Sequence, residues 1–327
     1  MKHMMEMDPV LANEWFVVMK SEELREDPKQ VVIMGERVVV FRTRKGIYAF
    51  KDLCIHRGCA LSIGKVADDN IVCPYHGWKF NSQGQCVDIP AQKKGTPIPL
   101  KAKAIKYLCE EKYGLVWVCI GDPQYPIPKF DEFSKEGYIS YVNGPFKIKS
   151  SGPRIIENFL DFTHLMWVHQ GILSETHYSE VPGYQVREIE GQLITDEVVI
   201  YEYESPPSRE IVPVTYVKIA MRPLIGFLRK STPSGEKNCI MLAAFPLDHE
   251  TSIVYKIHAQ NFNLQMDVSQ ISPANDIVMQ QDIVILENVK PEELPLDLQV
   301  ELSLKSDQMS IAYRKWLLAL GVTMGTA

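Results

Sequence analysis

The chain has 327 residues, 46% of them hydrophobic and 23% charged, with seven cysteines and a formal net charge of −6. That is the composition of a folded globular protein, which excludes disordered, collagen-like and coiled-coil chains, and the length calls for one large domain or two smaller ones. The acidic balance, with a pI near 5.8, argues against a general nucleic-acid binder and for a small-molecule substrate. No apolar run approaches the roughly 20 residues of a membrane span. The N-terminal stretch has scattered charges where an export signal would have an apolar core, so a cytoplasmic protein is expected. An odd number of cysteines speaks against a pure disulfide framework.

From Trp15 to about Val118 the sequence reads as short strands, at Trp15–Met19, Gln30–Met34, Arg37–Arg42, Gly46–Phe50 and Leu115–Cys119. They are rich in β-branched and aromatic residues and separated by turn formers, which predicts a small antiparallel β domain. Prolines then cluster between Gly121 and Lys129, where neither a ladder nor a long helix can continue, and this junction divides the chain into expected domains 1–122 and 123–327. In the second part, Arg154–Gln170 and Pro273–Val289 read as helices. Alternating apolar runs at Gln192–Tyr201, Thr215–Met221, Ile240–Phe245 and Ser252–His258 read as strands. The expected fold class is α+β, with a larger domain built on an antiparallel sheet flanked by helices.

Four potential metal ligands occur as Cys54-x-His56 and, sixteen residues later, Cys73-x-x-His76, each pair in a loop with glycine close by. Structural zinc sites usually keep like ligands together, whereas here each loop offers one cysteine and one histidine. The mixed pairing lets both thiolates bind one iron and both imidazoles the other, as in a Rieske [2Fe–2S] cluster. The stretches Cys54-Ile-His-Arg-Gly-Cys-Ala-Leu-Ser62 and Cys73-Pro-Tyr-His-Gly-Trp-Lys-Phe80 resemble the Rieske domain of the Rieske non-haem iron oxygenases. Respiratory Rieske proteins carry a further cysteine in each loop and join the two in a disulfide. This chain has Cys59 at the first place but Tyr75 at the second, so the resemblance is to the soluble oxygenase branch and Cys59 is expected to be a buried free thiol.

A second constellation lies in Glu157–His169, with Asp161, His164 and His169. On a regular helix the two histidines would diverge by about 140°, so they can share a metal only near a helix end or a distortion. Asp161 and His164, three apart, are placed to hydrogen-bond, as a carboxylate that orients a ligating imidazole must be. The stretch resembles the Asn-x-x-Asp-x-x-His-x-x-x-x-His iron motif of the same oxygenases. Non-haem Fe(II) oxygenases complete such a site with one carboxylate. Among Asp276, Asp282 and Glu287, Asp282 is chosen. Its neighbourhood resembles the family segment that donates the ligand, and a charge buried among Ile283, Val284 and Ile285 would need a cation.

The resemblance implies a terminal oxygenase with a [2Fe–2S] Rieske cluster and a mononuclear Fe(II). Electrons would come from a separate NAD(P)H-dependent reductase or ferredoxin, and O₂ would be used to hydroxylate or demethylate a small organic substrate. No Gly-x-Gly-x-x-Gly loop or plant-type ferredoxin cysteine cluster suggests a reductase within the chain. The length resembles compact homotrimeric monooxygenases more than ring-dihydroxylating dioxygenases. A dioxygenase and a pure electron-transfer Rieske protein are the alternatives. In the head-to-tail trimer that the resemblance implies, the cluster of one subunit lies beside the iron of its neighbour. Asp161 is then expected to act in catalysis by joining the His164 and His76 imidazoles.

Overall fold

A computed structural model of the chain describes residues 7–204 and 210–327. Two compact units divide between Ile127 and Pro128, inside the proline cluster and a few residues beyond the expected 122/123 boundary.

In the first unit, β1 (Phe16–Lys20), β2 (Lys29–Ile33), β3 (Glu36–Thr43) and β4 (Gly46–Lys51) precede the cluster loops. The short strands β5 (Lys65–Ala67), β6 (Asn70–Val72), β7 (Lys79–Phe80) and β8 (Cys86–Asp88) follow, then β9 (Lys106–Lys112) and β10 (Leu115–Cys119). Six strands form one antiparallel sheet in the order β1-β10-β9-β4-β3-β2, and β5 to β8 form a separate four-stranded sheet. The long strands were legible because their branched and aromatic residues are core: Val38 to Phe41 and every residue of β10 are buried. Phe41, Phe50, Leu61, Ile71 and Phe80 continue the core up to Cys54 and Cys73, so the two cluster loops are anchored in packed apolar side chains.

The second unit begins with β11 (Ile139–Ile148), α1 (Gly152–Leu160) and α2 (Leu165–Val168). Next come β12 (Val186–Ile189), β13 (Gln192–Thr195), β14 (Val198–Tyr203), β15 (Ile211–Arg222), β16 (Ile225–Ser231), β17 (Lys237–Pro246) and β18 (Ser252–Gln260). The chain ends with α3 (Val268–Leu286) and α4 (Gln308–Leu320). The strands make one antiparallel sheet in the order β11-β18-β17-β16-β15-β13-β12, with β14 also paired to β15. Helix α1 lies close on the sheet because Gly226 has no side chain: a Cβ there would sit 2.7 Å from the Phe159 ring. Asn143 of β11 donates to Ser272 Oγ (2.6 Å) and Asp276 (2.5 Å), and Tyr141 accepts from Asn275, which pins the first half of α3 to the sheet edge.

Three expected elements are corrected. The helix expected over Arg154–Gln170 is two helices, α1 and α2, broken at Asp161, whose backbone is extended at φ −75° and ψ 142°. Its side chain accepts from the Thr163 and His164 amides and restarts the helix, competing with the ladder as aspartates do. The second helix starts five residues before Pro273, from the Asp267 and Gln270 capping box, with the proline inside it. The strand expected over Gln192–Tyr201 is two, β13 and β14, separated where Asp196 turns back to accept from the Gln185 amide and Arg187. Helix α4 was not anticipated. Its Arg314 bonds Glu157 of α1 and Glu301, which also accepts from Arg154.

Candidate metal centres

The cluster loops lie between β4 and β5 and between β6 and β7. Cys54 and Cys73 each open a tight turn, accepting from the Gly58 amide at 2.8 Å and the Gly77 amide at 3.0 Å, and both glycines have positive φ. Asp52, fully buried, closes the first loop by accepting from the Ser62 amide at 2.8 Å and the Ser62 hydroxyl at 2.6 Å. Both cysteines are buried and unpaired, while His76 stands exposed at the tip. The His56 and His76 rings approach to 4.5 Å between centroids, and His56 stacks on Trp78 at 4.5 Å and 8°. Burial pushes the Cys54 thiol up to about 12, so a strong Lewis acid is needed to hold it as thiolate. Among the described residues His56 Nδ1 is buried with no hydrogen-bond partner. Two sulfurs at the base and an unmet imidazole nitrogen nearer the tip fit a mixed thiolate and imidazole cluster. Cys59 is a free thiol, half-buried rather than buried, packed against the same core.

The break at Asp161 decides the second site. His164 precedes α2 and His169 follows it, each at an end of a helix of four residues, so the divergence of an unbroken helix does not apply. Asp161 Oδ2 accepts from the His164 amide at 2.8 Å and lies 2.9 Å from His164 Nδ1. A carboxylate only accepts, so Nδ1 carries the proton and Nε2 presents a lone pair. His169 Nδ1 likewise meets Gln281 Oε1 at 2.9 Å. Both Nε2 atoms then point at Asp282 Oδ1, 3.6 Å from His164 and 3.2 Å from His169. The three candidate ligand atoms lie within 4.8 Å of one another, and among the described residues Asp282 Oδ1 is buried without a hydrogen-bond donor. Three acceptors converging without a proton repel one another unless a cation lies between them, and two imidazoles with one carboxylate suit Fe(II).

The other carboxylates considered are committed elsewhere: Asp276 accepts from Asn143, and Glu287 accepts from the Lys149 amide at 3.0 Å. The burial of Asp282 does not come from its sequence neighbours, since Val284 and Ile285 are exposed. It comes from the helix face that also carries Asn275 and Val278 towards the inner cavity.

Asp161 also caps the local turn. Its Oδ1 is not free but accepts from the Thr163 amide (3.1 Å) and hydroxyl (2.8 Å). Burial alone would raise its pKa, but the hydrogen bonds from the His164 ring and amide and the nearby charge of Lys218 overcome this and hold the group well below the usual carboxylate range. It borders an open polar cleft with Arg154, Glu157 and Arg314, whereas His164 borders the inner cavity, so their hydrogen bond joins the two. Lys218 was missed, although a signal existed: it falls in register with the buried Val214, Tyr216 and Ala220 on β15. Gln281 gave none, because its bond to His169 spans the fold. Met221, Phe245 and Tyr255 are core, and Tyr203 and Phe262 line a separate cavity.

Among the described residues no helix is long and apolar enough to cross a membrane. Residues 14–108 match the Rieske [2Fe-2S] domain family, and residues 148–322, more than half of the chain, match the vanillate O-demethylase oxygenase C-terminal domain. The chain is 29% identical over 298 residues to methylxanthine N1-demethylase NdmA of Pseudomonas putida, covering 89% of this chain and 82% of that protein. It is 32% identical over 222 residues to the probable methylxanthine N7-demethylase NdmC of Pseudomonas sp. (strain TJI-51), covering 65% and 77%. The solved structure of NdmA from P. putida CBB5 superposes with a TM-score of 0.82 at 28% identity, over 95% of this chain and 91% of that one. The chain belongs to the Rieske non-haem iron oxygenases, with a Rieske domain followed by an oxygenase domain of the vanillate O-demethylase type, and is an oxidoreductase of monooxygenase or demethylase kind that uses a [2Fe–2S] cluster and a mononuclear iron.

Proposed function

We propose that this chain is the terminal oxygenase of a multicomponent system. It takes electrons from a separate NAD(P)H-dependent reductase or ferredoxin and, with O₂, hydroxylates or demethylates a small organic molecule in the cavity beside His164, His169 and Asp282. The observation that carries this is the convergence of His164 Nε2, His169 Nε2 and Asp282 Oδ1 within 4.8 Å of one another, with the Nδ1 of each ring turned to an acceptor oxygen. An electron-transfer protein alone has no use for it. In this reading His164, His169 and Asp282 hold the iron, and Cys54, His56, Cys73 and His76 hold the cluster. Iron held by these residues would supply O₂ activation. The protein's part is orientation: Asp161 and Gln281 fix which nitrogen of each imidazole faces inward, and Phe159, Leu165, Leu228 and Ile240 keep the cavity wall apolar.

Asp161 is the proposed link in the electron path, bonded to His164 inside and bordering the open cleft outside. A head-to-tail homotrimer would place the cluster of a neighbouring subunit at that cleft. Exposed Ile55, Ile63 and Tyr75 near His76, and exposed Trp167 and Val284 near the triad, are the kind of surface such contacts cover. All seven cysteines are free, which suits the reducing cytoplasm.

Metal and sulfide analysis with EPR tests the reading. About three irons per chain, labile sulfide and the low average g-value of a reduced Rieske centre are expected. Stoichiometric zinc without sulfide overturns it. Product formed under ¹⁸O₂ with one labelled oxygen supports monooxygenation, and a labelled cis-diol refutes it.

A further inference from the structure

Three lysines line the cavity beside the triad, and their surroundings differ. Lys218 Nζ donates to the backbone carbonyls of Phe159 at 3.0 Å and Asp161 at 2.5 Å. Lys230 Nζ is paired with Glu202 at 2.7 Å. Lys256 is 4% exposed, yet among the described residues its ammonium has neither a hydrogen bond nor an ion pair. It lies in the middle of β18, opposite Asn143 on one side and Leu242 on the other. Asp282 and Asp276 act on its charge only from beyond ion-pair distance: the first turns to the histidines, and the second accepts from Asn143.

A buried cation without a partner is strongly unfavourable, and proteins keep one where a ligand completes it. The remaining wall is mostly apolar, from Phe159, Leu165, Leu173, Leu228, Ile240 and Val278. A cavity of this kind takes an apolar body and orients it by a few placed polar groups. We propose that Lys256 determines substrate specificity, and that the substrate is a small, mostly apolar acid whose carboxylate or sulfonate pairs with the Lys256 ammonium while its apolar body lies towards the triad. The inference rests on the reading that oxidation occurs in this cavity. A site built to pair with a charge rejects the uncharged analogue, because the lysine is then left buried and unmatched.

The test is calorimetric binding to the iron-replete protein of 4-methoxybenzoate, 4-methoxybenzenesulfonate and the uncharged 4-methoxybenzamide. At least one anion should bind about tenfold or more tightly than the amide, and which anion does so identifies the acid. Lys256→Met should abolish that preference, binding the amide at least as tightly as the wild-type protein does and keeping its iron content, and Lys256→Arg should keep the preference. Equal binding of amide and anions by the wild-type protein, no binding of either anion in the millimolar range, or an intact preference in Lys256→Met overturns the proposal. Loss of the mononuclear iron in Lys256→Met also overturns it, since Lys256 is then a counter-charge to Asp282. The wild-type arm needs no variant to fold. Iron and EPR measurements on the same samples separate failure of this assignment from failure of the oxygenase reading.

Discussion

Asp161 shows how much one side chain can settle. By capping the turn at Thr163 and His164 it ends one helix and starts another, and with the same oxygen that accepts the His164 amide it orients the His164 ring. Asp161→Asn keeps a capping oxygen but replaces an acceptor-only group by an amide. Both metals should stay bound by iron analysis and EPR while product formation falls about ten- to a hundredfold, as for other groups that orient a ligating imidazole. Loss of the mononuclear iron would make Asp161 a structural residue, and near-normal turnover would remove it from the electron path. At the third ligand position, Asp282→Ala should remove the mononuclear iron and leave the Rieske spectrum intact. Asp276→Ala, which leaves α3 pinned through the bond of Asn143 to Ser272, should retain the iron. The reverse result would assign the ligand to Asp276.

At the scale of elements, the alternation of the strands carries both the core and the site. On β15 the inward positions Val214, Tyr216, Lys218 and Ala220 are buried while Thr215 and Val217 are half-buried, so a lysine in the inward series marks a functional face. In the first unit the cluster loops are held by close backbone approach. A Cβ at Gly64 would lie 2.1 Å from the Val72 carbonyl and 3.2 Å from the Pro74 ring, on the two sides of the second loop's start. Gly64→Ala must push the loops apart and should destabilise the unit by about 1 to 3 kcal/mol in thermal unfolding, with reduced cluster absorbance. Gly183→Ala, with open space around it, is the control that should change neither.

On the scale of the whole molecule, charge distribution matters more than its total. The chain is acidic overall, at −6, yet Lys93, Lys94, Lys101, Lys103 and Lys106 occupy residues 91–106 with no acid among them. All five are exposed, and Lys101 and Lys103 alternate with the buried Ala102 and Ala104, as on any solvated face. If the face also steers an acidic electron donor, reversing these charges should lower the rate of cluster reduction by the partner and flatten its dependence on salt. Unchanged kinetics would leave a solvated face only. Sedimentation of the purified protein should give about three times the 37.3 kDa of the chain for the proposed trimer, and a monomer would refute it.

The sequence by itself offered the candidate ligands and their spacing, because metal chemistry restricts which side chains can serve and loops keep them close: Cys54 with His56, Cys73 with His76, and His164 with His169 are local pairs. It also determined the long strands, whose period of two is local, and placed the junction between units in the proline cluster. The tertiary structure decided what depends on distant partners. Asp282 turns its carboxylate to the histidines because α3 is pinned to β11 by Asn143 and Asn275, more than a hundred positions apart in the chain. Gln281 reaches His169, and among the described residues Lys256 is left without a partner, only because separate elements meet around one cavity. Spacing along the chain sets which residues can share a loop or a helix face, whereas burial and pairing are set by what packs on the other side.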